Sequence, residues 1–450
     1  MLLNWLALLK SNCKNMATTS ARYRKTIKFL FDLEFFGIKL GLKNINSLLD
    51  FCGNPEHHFP SIHVAGTNGK GSTAAMIASV LTSSGYKTGL YTSPHLVDFS
   101  ERIRINGKKI SWNDIVSYTN YFKPVIIKQK ATFFEATTAI AFKYFADQKI
   151  DIAVIETGLG GRWDATNVLS PLVSVITNIN IEHEHYLGKS YASIAREKGG
   201  IIKPFAPCYT AADNLEALNK LKSIADSNQS MLYHVDEFSK ATIKDSSLFG
   251  IQADILTNKN IYPDLKIALA GNYQVINARL SILVLENLRE SDGLKFITKK
   301  NIYNGFQTIK ENTGLFGRMD ILSTSPLIIG DVAHNPNATK TLVESLKSWF
   351  SRKVVLIFGV MKDKRFKEMI KYLQPITRVA VAVQPKCSRS LDKTILLEHF
   401  NKVGLQAISG ATCAAGLRLG LVEKRENEPI LITGSHYVLS EILQNINKFA

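Results

Sequence analysis

The sequence predicts an α/β protein with two cores: a larger N-terminal part built from parallel βαβ units and a smaller C-terminal, doubly wound part. Three observations carry this prediction. Short apolar runs closed by polar, Gly or Ser residues alternate with helical patterns between residues 61 and 177. The alternation returns, cleaner, between residues 327 and 433. Between the two, from about Asp245 to Leu269, the pattern turns mixed and predicts irregular or antiparallel structure. A chain of 450 residues is long enough for two or three domains, each with its own core.

In chain order, Ser61–Ala65 predicts a short buried strand and Thr73–Leu81 an amphipathic helix after it. Lys87–Tyr91, Asp151–Ile155 and Leu172–Thr177 read as further buried strands, with a helix over Glu135–Ala146. Gly271–Leu288 reads as one long helix. The last third offers strands at Leu327–Gly330, Val354–Phe358, Val379–Val383 and Ile430–Thr433, separated by helices at Thr339–Phe350, Asp392–Phe400 and Cys413–Glu423. That is a Rossmann-like pattern. The boundary falls in the polar, glycine-containing stretch Glu311–Arg318, giving parts 1–313 and 321–450 joined by 314–320. There is no internal repeat and no low-complexity tract.

Apolar residues make up 45% and charged residues 21%, ordinary for a globular chain. No apolar run approaches the roughly 20 residues that span a bilayer. Met1–Leu9 is apolar but short, and its positive charges (Lys10, Lys14, Arg22, Arg24, Lys25) follow in a segment expected to be poorly ordered. A cleavable signal places its charge first, so a cytoplasmic protein is expected, with Met16 as an alternative start. Cys13, Cys52, Cys208, Cys387 and Cys413 form no CxxC pair and are expected to be reduced. The net charge of +17 has two readings: nucleic-acid binding, or a lysine-rich surface that also serves small polyanionic substrates. The cations are spread, and stretches such as Lys299-Lys300 and Lys362–Arg365 suit solvated faces. No nucleic-acid motif appears, so neither a nucleic-acid nor a membrane partner is expected.

The run Ile62-His63-Val64-Ala65-Gly66-Thr67-Asn68-Gly69-Lys70-Gly71-Ser72 is a strand, a glycine-rich turn with a lysine, and a helix start. Such a turn cradles nucleotide phosphates: its amides point inward, the lysine reaches the outer phosphates and a hydroxyl can hold Mg²⁺. The spacing departs from the standard phosphate loop, since Gly66 stands three residues before Gly69 and Gly71 separates Lys70 from Ser72. Glycines in a turn also serve plain conformational needs, but the strand before and helix after favour phosphate binding, and hence ATP. Glu156 begins a second dense run, Glu156–Asn167, at a strand end, where a carboxylate can hold Mg²⁺ or simply cap or pair. His183 likewise lies past a strand end, a place that favours a metal or substrate role over a core histidine. Lys198, beside the Gly199-Gly200 turn, is by itself an ordinary surface charge.

Together these runs resemble the folylpolyglutamate synthase / dihydrofolate synthase family of the Mur ligase superfamily. The resemblance covers about Phe29 to Ile446 and rests on His63–Ser72, Thr92–Leu96 with Ser100–Ile103, Glu156–Asn167, Ile194–Lys203 and Asp331–Pro336. It implies a Mur-ligase-like ATPase domain followed by a Mur-ligase-like glutamate-ligase domain. The implied reaction is phosphorylation of a pteroate or folate carboxylate by ATP, then attack by the amine of L-glutamate, releasing ADP and phosphate. The acceptors implied are dihydropteroate and reduced folates, and the implied state is a monomer.

By the same resemblance, Gly66, Thr67, Asn68, Gly69, Lys70, Gly71 and Ser72 bind phosphates, and Asn272, Gln274, Asn277, Arg318, Asp331 and His334 contact nucleotide. Ser93, Glu156 and His183 hold one Mg²⁺, and Lys198, as a carbamate, a second; K⁺ is a further candidate cation. Lys70, His183 and Lys198 form the implied catalytic set. Pro94, His95 and Arg102 lie on a loop near folate and phosphates, while Thr132, Phe133, Phe134, Glu135, Trp163, Asp164 and Ala165 shape the pterin pocket. The chain departs from the family pattern at Trp163, Glu182, Gly199, Tyr273 and Val332, none of them a proposed ligand apart from the pocket residue Trp163. Two alternatives stand beside this reading: another Mur-type ligase acting on a peptidoglycan or cyanophycin-like precursor, and a nucleic-acid-stimulated NTPase suggested by charge alone.

Overall fold

The structure is a computed structural model that describes residues 19–37, 39 and 41–445. Cys13, Met16, the apolar start Met1–Leu9, Lys10, Lys14 and Ile446 lie outside the described residues. The chain divides into two compact units. Of the described residues, the first unit comprises those up to His95, Phe99–His234 and Val284–Ile297; the second comprises Leu96–Asp98, Val235–Leu283 and Thr298–Asn445. Residues 235–283, N-terminal of the boundary expected from sequence, thus pack in the second unit, because a mixed pattern does not say which core it joins.

The first unit is an eight-stranded sheet: β1 (Ser61–Ala65), β2 (Thr88–Tyr91), β3 (Ile103–Ile105), β4 (Lys108–Lys109), β5 (Ile152–Glu156), β6 (Val173–Ile176), β7 (Cys208–Thr210) and β8 (Leu232–His234). Their order is β4-β3-β2-β5-β1-β6-β7-β8. β1 lies in the middle, parallel to β5 and β6, and every residue of these three strands is buried. Strands covered on both faces read as unbroken apolar runs, which is why the sequence locates them to within a residue. Only the pairings β2–β3 and β3–β4, at one side of the sheet, are antiparallel.

The helix after β1 spans Lys70–Ser83, and all residues from Gly71 to Leu81 are buried. It is not the amphipathic helix expected: its polar residues Ser72, Thr73 and Ser79 are all inside. A helix apolar or small all round belongs in an interior. The helix Phe133–Asp147 starts in a capping box, with Thr132 and Glu135 each bonded to the other's backbone N–H.

In the second unit β9 (Ser239–Ser247), β10 (Gly250–Thr257) and β11 (Ile261–Ile267) form an antiparallel sheet, one of the two forms expected there. A six-stranded sheet follows: β12 (Asp320–Thr324), β13 (Leu327–Gly330), β14 (Val354–Phe358), β15 (Thr377–Ala382), β16 (Gln406–Ser409) and β17 (Ile430–Thr433). Its order is β12-β13-β17-β14-β15-β16, parallel except for β12. Alternate residues of β14 serve two cores. Leu356 and Phe358 join Met369, Leu373 and Phe400, whereas Val355 and Ile357 join Val381, Leu417 and Val438. The start of β15 is tied to the segment before β17 by a bidentate pair in which Arg378 donates from Nε to Glu428 Oε1 at 2.6 Å and from Nη2 to Oε2 at 2.5 Å.

Among the described residues no helix is long and apolar enough to cross a membrane. Phe358 is fully buried, 6.0 Å from the Phe400 ring. Phe358→Ala is expected to cost about 3–5 kcal/mol in the unfolding of this unit, read from the urea midpoint. A loss under about 1 kcal/mol contradicts the packing described.

Candidate active site

The carboxyl ends of β2, β5, β1 and β6 stand side by side, and the residues singled out in the first unit follow them: Ser93 after β2, Glu156 ending β5, Gly66–Lys70 after β1, and His183 beyond β6. In parallel sheets, ligands bind at this end.

The glycine turn is tightly made. Gly66 adopts φ +149°, and a Cβ there would lie 1.9 Å from Thr177 Oγ1. Asn178 holds the next two residues: Thr67 N donates to its carbonyl at 2.8 Å and Asn68 N to its Oδ1 at 2.8 Å. Thr177 Oγ1 donates to Asn68 O at 2.6 Å. Gly69 caps the helix at φ +86°, and Thr73 N makes the first intrahelical bond, to Gly69 O at 2.8 Å. The amides of Lys70, Gly71 and Ser72 therefore lie in the first turn, where a helix presents N–H groups to an anion. Lys70 Nζ rests 3.3 Å from Thr67 O. This cradle fits a nucleotide's phosphates.

Lys198 is 4% exposed, and its Nζ donates to the Gly66 carbonyl at 2.6 Å. Burial, and then the charge of Lys70, pull its pKa down from 10.5 to about 7. At neutral pH a large share of this lysine is an uncharged, nucleophilic amine. The Glu156 carboxylate, 4% exposed, accepts from Ser93 N at 3.1 Å, so two of the three expected metal-ligating residues are in contact. His183 caps a short helix at φ +54°, with its Nε2 3.7 Å from Glu182 Oε1. Among the described residues no three His, Cys, Asp or Glu side chains gather into a cage. Mg²⁺ needs none: one or two hard oxygens, substrate phosphate and water suffice, and Glu156 beside the cradle fits that requirement.

The expected pocket residues divide. Arg102 Nε donates to His95 Nδ1 at 2.8 Å, and its guanidinium lies 5.1 Å from the Phe133 ring centroid. Phe31, which sequence reasoning missed, stacks on Phe133 at 5.3 Å. Phe134 fills the space a Cβ at Gly158 would need. Trp163 is exposed beneath Arg162, with 4.7 Å between guanidinium and ring. Pro94 is exposed and Ala165 buried. Thr132 and Glu135 are engaged as a helix cap, and Asn44 Nδ2 also donates to Glu135 at 3.2 Å.

Asp164 is buried and bound into its own loop, accepting from Leu159 N at 2.8 Å and from Thr166 Oγ1 at 2.5 Å. Because Thr166 donates there, it accepts from His63 Nε2, 2.7 Å away. Burial pushes the His63 pKa down to about 3, so the ring is neutral. His63 sits in the quoted glycine-turn run, but its role depends on Thr166, 103 residues on.

The remaining candidates lie in the second unit. Asp331 follows β13 and accepts from Met319 N at 3.0 Å and Ala333 N at 2.7 Å. Arg318 Nη1 bonds Gly317 O at 3.1 Å. His334 Nδ1 is 2.9 Å from Val332 O, and its ring centroid lies 5.4 Å from that of His436. Asn277 Nδ2 donates to Gln274 Oε1 at 2.9 Å, and Asn272 accepts from Ser246 Oγ at 2.5 Å.

Comparison with known proteins places this geometry. Residues 64–285 match the Mur ligase middle domain and residues 317–436 the Mur ligase glutamate ligase domain. The dihydrofolate synthase/folylpolyglutamate synthase of Bacillus subtilis is 34% identical over 91% of this chain and 96% of its own. Among solved structures, Mycobacterium tuberculosis folylpolyglutamate synthase complexed with ADP superposes with a TM-score of 0.86 at 27% identity, covering 95% of this chain and 98% of that one. Escherichia coli FolC in complex with DHPP and ADP gives 0.84 at 26%, covering 94% and 98%.

The Lys198 shift sets a pH signature. Its folded pKa lies below the unfolded value, so below about pH 7 the folded state carries the full cost of a buried ammonium. As pH rises from about 7 toward 10.5 the unfolded chain keeps the proton and the folded chain sheds it, so stability increases through that window. In CO₂-free buffer, Lys198→Met should remove this increase relative to the parent in urea midpoints from acidic to alkaline pH. Parallel curves contradict the assignment.

Proposed function

The chain belongs to the folylpolyglutamate synthase/dihydrofolate synthase family of Mur ligases, and on that premise we propose that it joins L-glutamate to dihydropteroate and to reduced folates at the expense of ATP. An acceptor carboxylate oxygen attacks the γ-phosphorus and ADP leaves. The glutamate amine then attacks the acyl carbon, phosphate leaves, and the amine gives up a proton. A carboxylate is a poor electrophile, and phosphorylation supplies its leaving group. The observation that carries this reading is the Gly66–Lys70 cradle with Lys198 bonded to its first carbonyl.

In this reading the turn amides bind the phosphates, and Lys70 neutralises charge on the transferred group. Ser93, Glu156 and His183 hold Mg²⁺, which when bound shields the phosphate oxygens. The neutral Lys198 amine is suited to add CO₂, losing a proton and becoming an anion able to hold a second Mg²⁺. Asp331, Arg318, His334, Asn272, Gln274 and Asn277 are proposed nucleotide contacts. The Phe133 ring, with the Arg102 guanidinium over it and His95 bonded to Arg102, is the proposed wall for the pterin. A cytoplasmic monomer completes the proposal.

The test is phosphate release with ATP, Mg²⁺ and L-glutamate, comparing dihydropteroate with tetrahydrofolate. Turnover with both is expected; turnover with neither sinks the substrate assignment. Lys70→Ala should lower the rate by about 10²-fold or more. Lys198→Ala should lose activity that a small added carboxylate partly restores, and ¹³C-bicarbonate should give a carbamate signal in the parent that the variant lacks. An Ala variant with parental turnover removes Lys198 from the mechanism.

A further inference from the structure

The first unit holds a cavity of about 420 Å³ that none of the proposed phosphate, metal or folate ligands lines, although Arg162 lies over the Trp163 ring and Gly199 follows Lys198 in the chain. Four of its residues are cationic: Arg162, Arg196, Lys203 and Lys220, with Ile224 and Asn228 completing much of the wall. None of its lining residues is acidic. Glu197 approaches Arg162 at 3.9 Å, and Lys203 Nζ donates to Asn167 O at 2.9 Å. Arg196 and Lys220 have no carboxylate partner among the described residues.

The helix dipole explains part of this arrangement. Arg196 lies in the last turn of the helix Tyr191–Gly199, where a cation is favoured. Lys220 stands in the middle of the helix Leu215–Ser227, where no such effect reaches it. Arg196 and Lys220, which no carboxylate among the described residues offsets, add their charge to those of Arg162 and Lys203 around one cavity, a field that attracts an anion. Guanidinium forks donate two hydrogen bonds at a time to a carboxylate, and the volume suits a ligand of several groups rather than one compact ion.

We propose that this cavity is an exosite for a ligand carrying several separate carboxylates, the chemistry of a γ-linked glutamate tail. The identity of the tail rests on the glutamate-ligase reading. Each round of that reaction leaves one more carboxylate on the product, so affinity here grows with tail length.

The probe is free tri-γ-glutamate, titrated calorimetrically into the full chain, with tripolyphosphate in a parallel arm. Saturable binding that weakens with added salt is expected, roughly tenfold weaker in Arg196→Glu/Lys220→Glu. Phosphate release by that variant with a tail-free acceptor should match the parent. Arg196→Gln/Lys220→Gln, a gentler change, should fall between them in affinity. Equal binding by parent and variants, or no binding by the parent, overturns the exosite. Binding of tripolyphosphate without triglutamate overturns the carboxylate assignment. Triglutamate binding without phosphate release from any acceptor overturns the ligase reading while upholding the cavity.

Discussion

The missing side chain at Gly66 is the constraint on which the site depends. Ala65 and Ile176 are partners in the parallel β1–β6 register, so the next residue of each strand, Gly66 and Thr177, must meet as the strands end. Thr177 occupies the volume a Cβ would take, and its hydroxyl holds the Asn68 carbonyl. Lys198 closes the turn from a third segment through the Gly66 carbonyl. With its carbonyls committed to Thr177 and Lys198, the turn leads into a helix whose first amides are available to phosphate. The preorganisation comes from sheet register, not from local sequence.

The polar groups buried around this turn are individually costly and collectively arranged. Burial of the Lys198 amine, and then the charge of Lys70, make it hold its proton weakly while it bonds the Gly66 carbonyl. Asp164 is buried too, and backbone and Thr166 donors offset the burial that raises its pKa. His63 completes the chain as a neutral donor to Thr166. One loop thus ties β1 to the end of β5 with hydrogen bonds rather than ion pairs, and it sets the position of Trp163 and Ala165 on either side of Asp164.

Much of this was legible in the sequence because parallel strands covered on both faces are continuous apolar runs with polar ends, and functional residues follow those ends. Glu156, His183 and the glycine turn were singled out in that way, whereas Ser93 came only with the family resemblance. Thr132 and Glu135, singled out only as pocket residues by resemblance, have the spacing of a capping box, and the structure uses them as one. What the sequence concealed depends on distant partners. His63 gains its meaning from Thr166, and Phe31 from Phe133, and neither pairing has a local signature. Strand β16 escaped because Gln406–Ser409 is a half-exposed edge with no apolar run. The burial of Ser72, Thr73 and Ser79 escaped because small hydroxyl residues look wet in a sequence, while their size suits close packing inside a sheet protein.

The central claim is that this fold activates a carboxylate by moving phosphate onto it. The most direct test supplies the acceptor with ¹⁸O in its carboxylate and follows the label during turnover with ATP and L-glutamate. An acyl phosphate requires one labelled oxygen to leave with each phosphate released, with ADP unlabelled. Phosphate free of label, or label appearing in AMP, contradicts the account.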